Sequence, residues 1–296
     1  MIKAEMTSQN HTIYYCRICG YSGGPDEVFS RPLAFRCRNC GTVQAAELPS
    51  IEQLKDYYGK KYLDQYTAGM NPHRFKVEMP KRHAAKLAYI KRYKTTGTLL
   101  DAGCGEGFFL QLALNAGFDA IGCDYDFRTD YPERVSVKLG TLDSKNGLPF
   151  RDGMFDIVTC WAVIEHVRDP VTALQEILRV LNKDGYLFLD TPLCGDFCER
   201  LVAARSHWLH PPEHLHVFTA KSLRLVIEKT GFKLLDHRVS YERNLVRWSA
   251  RRLRNILVGT LLGGGLKLLA PVKWEFMRSN RVTQIGDIQL CVAQKP

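Results

Sequence analysis

The 296-residue sequence has no uninterrupted apolar run of the roughly 18–20 residues that a bilayer span needs. Its longest candidate, residues 256–271, is broken by four glycines and Lys267. The first residues, MIKAEMTSQNHTIYYC, lack the apolar core of a secretory signal. There is no internal repeat and no low-complexity tract. These absences exclude a membrane-embedded, fibrous or disordered chain and lead us to expect a cytoplasmic protein. In that compartment ten cysteines are thiols or metal ligands rather than a disulfide framework.

What is present suits a soluble globular protein: 45% hydrophobic and 24% charged residues leave enough apolar material for a sizeable core. The net charge is +10, which suggests an anionic partner without saying anything of fold. Its distribution is more informative. Residues 1–95 carry 16 basic and 8 acidic side chains, residues 96–195 carry 8 and 15, and residues 196–296 carry 17 and 8. Two basic flanks thus enclose an acidic centre.

From Gly97 onward, strand-like runs alternate with helical ones. Strands are expected at 98–102, 118–123, 135–139, 155–161, 186–190, 232–239 and 288–293, and helices at 108–116, 170–181 and 220–230. This alternation predicts βαβ units on a parallel sheet, an α/β fold. Upstream, Ser50 and Gln53 stand at the reciprocal positions of a capping box that opens a helix. A tyrosine-rich stretch and a basic helical segment, 73–93, follow. Residues 49–96 are read as a helical linker that caps the cofactor.

Within the acidic centre, Leu99-Leu100-Asp101-Ala102-Gly103-Cys104-Gly105-Glu106-Gly107 is a strand running through glycines into a helix, a turn that lets backbone approach a ligand closely. Asp124 ends the next strand, where a carboxylate can accept from both ribose hydroxyls. The dinucleotide fingerprint requires a third glycine at position 108, and Phe108 stands there instead. Asp101, Glu106 and the acidic balance favour a cationic ligand over a diphosphate.

Together with 148–158 (LPFRDGMFDIV), 165–170 (EHVRDP), 185–187 and 211–219 (PPEHLHVFT), these segments resemble, in order, the motifs of class I S-adenosylmethionine-dependent methyltransferases. The resemblance implies a Rossmann-like seven-stranded methyltransferase sheet whose last strand is antiparallel, with helices on both faces. It also implies that Gly103, Gly105 and Gly107 contact the methionine part of S-adenosylmethionine, Asp124 its ribose, and Asp143 the neighbourhood of its adenine. Asp101, Cys104 and Tyr125, beside these motifs, complete the expected cofactor-binding set.

The second motif is Cys16-Arg17-Ile18-Cys19 with Cys37-Arg38-Asn39-Cys40 after a gap of 17 residues. Two CxxC knuckles can close a tetrahedral S₄ site for a structural zinc, with no position left for water. Residues 1–48 are accordingly read as a zinc ribbon. A comparable four-cysteine module precedes the methyltransferase domain of sugar C-methyltransferases, which this chain resembles through its first 240 residues, without their C-terminal domain. Of the other cysteines, Cys104, Cys123, Cys160 and Cys291 fall on or next to strands and are expected to be buried thiols, while Cys194 and Cys198 are read as loop or helix residues.

Candidate catalytic residues are His166, His214 and His216, since an imidazole near neutral pKa can take a proton from an acceptor hydroxyl as the methyl arrives. Methyl transfer from a sulfonium also proceeds by positioning alone, so a dedicated base is optional. Between the last two strands, residues 241–285 carry Arg243, Arg247, Arg251 and Arg254 as one helical stripe opposite an apolar side, followed by a glycine-rich apolar stretch and Trp274. This basic amphipathic insertion is expected to be a lid or a peripheral membrane contact. The methyltransferase domain itself is assigned to 97–240 and 286–296.

The sequence therefore predicts methyl transfer to a sugar, glycan precursor or lipid-linked small molecule, on oxygen or carbon. One alternative is an RNA methyltransferase that grips phosphates with the ribbon and the basic flanks; nucleic acid ranks behind the small acceptor. The other is a non-enzymatic zinc-ribbon binding module.

Overall fold

A computed structural model describes residues 13–30, 33–58, 79–125, 131–143, 147–194, 209, 211–240 and 288–296. The chain divides into two compact units, Met1–Arg238 with Gln289–Pro296, and Val239–Ile288. The insertion expected over 241–285 lies outside the described residues, as does Cys198. No helix among the described residues is long and apolar enough to cross a membrane.

The large sheet has seven strands: β6 (Gly97–Ala102), β7 (Phe118–Asp124), β8 (Val137–Leu139), β9 (Phe155–Trp161), β10 (Leu181–Pro192), β12 (Lys233–Ser240) and β13 (Ile288–Gln294). Their spatial order is β12-β13-β10-β9-β6-β7-β8, with β10, β9, β6, β7 and β8 mutually parallel. Gln289 bonds the carbonyl of Pro192 while Lys295 exchanges backbone hydrogen bonds with Asp184 and Gly185. β13 therefore runs antiparallel to β10, as the resemblance implies. The order reverses between β6 and β9, and the carboxyl ends of strands at such a switch point are where this class of sheet binds ligands.

The central strands are covered on both faces, which is why they read as nearly continuous apolar runs. In β9, Phe155 and residues 157–160 are all buried. The helices cover them with one face each. In α4 (Pro170–Val180) that face is Ala173, Leu174, Ile177 and Val180, at helical spacing. Asp169 caps it by accepting from the amides of Val171 and Thr172, and Pro170 occupies the first turn, where no amide partner is needed. The remaining helices among the described residues are α1 (Ile51–Tyr58), α2 (Met79–Ile90), α3 (Phe108–Asn115) and α5 (Ala220–Lys229).

One strand begins earlier than its apolar pattern suggests. β10 starts at Leu181, directly after α4, pairs Leu181 with Phe155, and then shifts register before Tyr186 pairs with Ile157. The polar residues 182–185 sit in this irregularity, and Asn182 Nδ2 donates to Asp156 Oδ1 at 2.7 Å. A polar bulge hides the strand start from periodicity.

The cysteine-rich region consists of the hairpin β1 (Tyr14–Tyr15) and β2 (Ser22–Gly23), and a meander of β3 (Glu27–Ser30), β4 (Leu33–Arg36) and β5 (Val43–Ala45). A fourth strand, β11 (His216–Val217), comes from far along the chain and pairs antiparallel with β5. Thr219 Oγ1 donates to the Cys40 carbonyl at 2.9 Å, and Lys221 Nζ to that of Asn39 at 2.8 Å. Cys16, Ile18, Cys37 and Cys40 belong to the same buried cluster as Phe218, Leu223 and Val226. The region shares its core with the large sheet, because so short a segment cannot build one alone.

Candidate active site and cysteine centre

A cavity of about 210 Å³ opens at the carboxyl ends of β6, β7 and β9. Its wall includes Gly103, Gly105, Asp124, Tyr125, Asp143 and His166 from the expected set, with Tyr58, the segment 140–142, Ala162, Val163 and Val167. Gly103 takes φ +79°, and a Cβ there would collide with the Val163 side chain. Gly105 takes φ +51° with nothing within 4 Å of where a Cβ would stand, so its bare backbone borders open space. Asp124 is fixed by the amides of Gly105 (2.7 Å) and Tyr125 (2.6 Å). Asp143 Oδ1 accepts from the Arg168 amide at 2.7 Å, and burial raises its pKa to about 6. The Tyr125 hydroxyl is buried without a hydrogen-bond partner among the described residues. A buried orphan hydroxyl on a cavity wall fits a site built to receive a polar ligand.

Three members of the expected cofactor set stand elsewhere. Asp101 is buried behind the wall, where Thr159 Oγ1 donates to it at 2.6 Å and burial raises its pKa to about 7. The Cys104 side chain packs against Gly122 in the core. Gly107 is the N-cap of α3, in a left-handed conformation. None of the three lines the cavity.

Of the three histidines, His166 lines the cavity and His214 packs edge-on against it, ring centroids 4.6 Å apart. His166 Nδ1 lies 2.9 Å from the carbonyl of Glu213 and 2.9 Å from the Tyr58 hydroxyl. A carbonyl only accepts, so the proton belongs on Nδ1 and the lone pair on Nε2. Burial, reinforced by His214, pushes the pKa of His166 down to about 3. The ring is neutral at physiological pH and a weak base. His216 is fully buried in β11, outside the cavity wall. Beside His166, Glu165 is 1% exposed, accepts from Thr191 Oγ1 at 2.9 Å, and has its pKa raised to about 8, chiefly by burial.

Tyr58 was not singled out as a site residue from sequence. The Ser50/Gln53 box closes as expected, the Ser50 amide donating to Gln53 Oε1 at 2.7 Å and the Gln53 amide to Ser50 Oγ at 3.1 Å. The helix it starts delivers Tyr57 to Glu213 Oε2 (3.3 Å) and Tyr58 to His166. The tyrosine run after a capping box was the available signal.

The four cysteines converge: Cys16 and Cys40 Sγ are 3.6 Å apart, as are those of Cys19 and Cys37, and all four lie within 4.8 Å of one another. Disulfide sulfurs are about 2.05 Å apart, whereas four sulfurs about 2.3 Å from a common ion are separated by about 3.8 Å. The donor set and spacing fit a closed tetrahedral ion. Gln44 Nε2 donates to Cys16 Sγ at 2.9 Å, a supporting contact of the kind that orients metal ligands.

A sheet of this order with a glycine-walled cavity and an acid ending its second strand defines a Rossmann-like methyltransferase fold. The profile of the methyltransferase domain family matches residues 75–237, more than half of the chain, and the protein belongs to that family. It is 33% identical over 144 residues to a probable S-adenosylmethionine-dependent methyltransferase of Mycolicibacterium smegmatis, covering 47% of this chain and 52% of the relative. It is 27% identical over 144 residues to a tRNA U34 carboxymethyltransferase of Campylobacter curvus, covering 46% and 48%. The chain thus spans about half the length of these curated relatives. Among solved structures, the 1,6-didemethyltoxoflavin-N1-methyltransferase of Burkholderia thailandensis, with bound S-adenosylhomocysteine, superposes with a TM-score of 0.54 at 14% identity, covering 92% of this chain and 98% of that one. The cyclase SpnF gives 0.56 at 20% identity, covering 84% and 98%. At these identities the structures show the shared fold.

Proposed function

We propose that this protein transfers a methyl group from S-adenosylmethionine to a small acceptor, a sugar, glycan precursor or lipid-linked molecule, on oxygen or carbon. The observation that carries this reading is the chemistry of the wall: two aspartates, Asp124 and Asp143, and, among the described residues, no lysine or arginine lining the cavity. Such a wall favours a ligand bearing a sulfonium and an ammonium and disfavours a diphosphate. When bound, S-adenosylmethionine supplies an electrophilic methyl on that sulfonium. Gly103 and Gly105 admit the ligand to the backbone, Asp124 accepts from its ribose, and Asp143 and Tyr125 border its adenine side. His166, held neutral through Nδ1, and His214 orient the acceptor. Alignment supplies the rate rather than a strong base.

The four cysteines are proposed to hold a structural zinc, with nothing left open for chemistry. The cysteine region also bears on the choice of acceptor. Arg17 Nη1 donates to the Ala45 carbonyl, Arg36 to Glu27 and the Gly41 carbonyl, and Arg38 to the Pro25 carbonyl. Guanidinium groups engaged internally are poorly placed to grip phosphates, which favours the small acceptor over RNA. The test is transfer of labelled methyl to fractionated cell extract, with a search for a 14-dalton difference between metabolites and lipids of cells with and without the protein. Label in small-molecule or lipid fractions is expected; label confined to RNA would replace this reading with the nucleic-acid one, and no transfer to any fraction would refute enzymatic function.

A further inference from the structure

We propose that Glu165, His166 and His214 form a second metal site, a two-histidine, one-carboxylate centre for a first-row divalent cation at the edge of the cavity. One ligand atom from each lies within 4.8 Å of the others. Three ligand atoms about 2.1 Å from one ion lie about 3.0–3.6 Å from one another, so closure draws the side chains together by up to about 1–2 Å. The three residues come from two segments, the turn after β9 and the stretch before β11, which the Leu215 and His216 amides tie together by donating to the Glu165 carbonyl at 2.9 and 3.1 Å.

Supporting contacts aim two of the ligands inward. Thr191 Oγ1 holds Glu165 through Oε2, and Oε1 faces His166 Nε2 at 3.9 Å. The Glu213 carbonyl and the Tyr58 hydroxyl sit on His166 Nδ1, and Nε2 lies on the Glu165 side of the ring, 3.9 Å from Oε1. Metal-binding imidazoles are oriented in this way, one nitrogen tied to a carbonyl or carboxylate and the other presented to the ion. Glu165 is buried to 1% exposure, so a cation held there would be shielded from water. Mixed nitrogen and oxygen donors accept first-row divalent cations such as Mn²⁺, Fe²⁺ or Zn²⁺, and the set is distinct from the thiolate site at the cysteines.

Three protein ligands leave coordination positions open, and one of the three, His166, lines the cavity. The class of ligand they take is an oxygen donor, a hydroxyl or carboxylate of the acceptor. That last assignment rests on the methyl-transfer reading; the metal site itself does not.

The test uses the full-length, zinc-loaded protein and Mn²⁺, which has little affinity for an S₄ centre. Free Mn²⁺ is followed by electron paramagnetic resonance and zinc by elemental analysis. One Mn²⁺ per chain is expected, weakened at least tenfold in Glu165→Gln and in His214→Ala, with bound zinc unchanged in both. Absence of Mn²⁺ uptake by the wild type, or uptake by both variants as tight as that of the wild type, overturns the site. Cofactor binding is measured separately by calorimetry: loss of Mn²⁺ uptake with S-adenosylmethionine still bound refutes only the metal site, and failure to bind the cofactor refutes the methyl-transfer reading.

Discussion

At the scale of single residues, Asp124 and Asp156 show how one side-chain type serves two purposes. Asp124 is held by two amides at the cavity, where the proposed role is to accept from the ribose. Asp124→Ala should weaken S-adenosylmethionine binding roughly 10- to 100-fold, the worth of hydrogen bonds to a charged acceptor, with an unchanged circular dichroism spectrum. Calorimetric titration checks this. Asp156 is structural: burial alone would raise its pKa, but bonds from Lys94 Nζ, the Thr98 amide and Asn182 overcome that and hold it at about 2. A depressed carboxylate stabilises the fold above its unfolded pKa of about 3.9, and that contribution is lost as pH falls through about 2. Asp156→Asn should therefore cost on the order of 2 kcal/mol at pH 7, and the gap from wild type should close between about pH 4 and pH 2 in denaturant titrations. A gap independent of pH would show that ionisation is not what the site uses.

At the scale of elements, the helices are started by side chains whose roles can be read from sequence, but their docking cannot. Thr219 accepts from the Ser222 amide to cap α5 and also donates to the Cys40 carbonyl. Thr219→Val keeps the shape and removes both bonds. It should lower stability by about 1–2 kcal/mol, more than the roughly 1 kcal/mol usual for a cap alone. A thermal melt beside Ser222→Ala, which leaves the Cys40 contact intact, separates the two effects. α1 shows the same division: its capping box was legible, whereas the contact of Tyr58 with His166 joins residues far apart in sequence.

At the scale of the whole molecule, the cysteine region and the catalytic region are one structure. β11 lies between His214 and the α5 cap and extends the small sheet by pairing with β5. Stripping metal from the cysteines should loosen residues 211–219 along with the ribbon, raising amide hydrogen exchange there while β6 and β9 stay protected. Exchange followed by mass spectrometry, before and after chelation, checks this. An effect confined to residues 13–45 would show that the two regions are mechanically separate. The charge pattern also gains a narrower meaning at this scale, because Arg17, Arg36 and Arg38 of the cysteine region are engaged with carbonyls in the fold.

By itself the sequence determined the strand-helix alternation, the class of sheet and the four-cysteine set, since each rests on local periodicity or on spacing within a few residues. Glycines in a strand-to-helix turn and an acid at the next strand end are local signals too, and Gly103, Gly105 and Asp124 do line the cavity. Tertiary structure decided which neighbours of those signals face the cavity. Asp101 and Cys104 belong to the same motif, yet alternation along a strand and packing against Gly122 turn them inward. Likewise His214 and His216 are two residues apart, and only the pairing of β11 with β5 distinguishes them: one stays beside His166, and the other is sealed in the small sheet. Side-chain direction at such positions depends on long-range pairing, which local pattern does not encode.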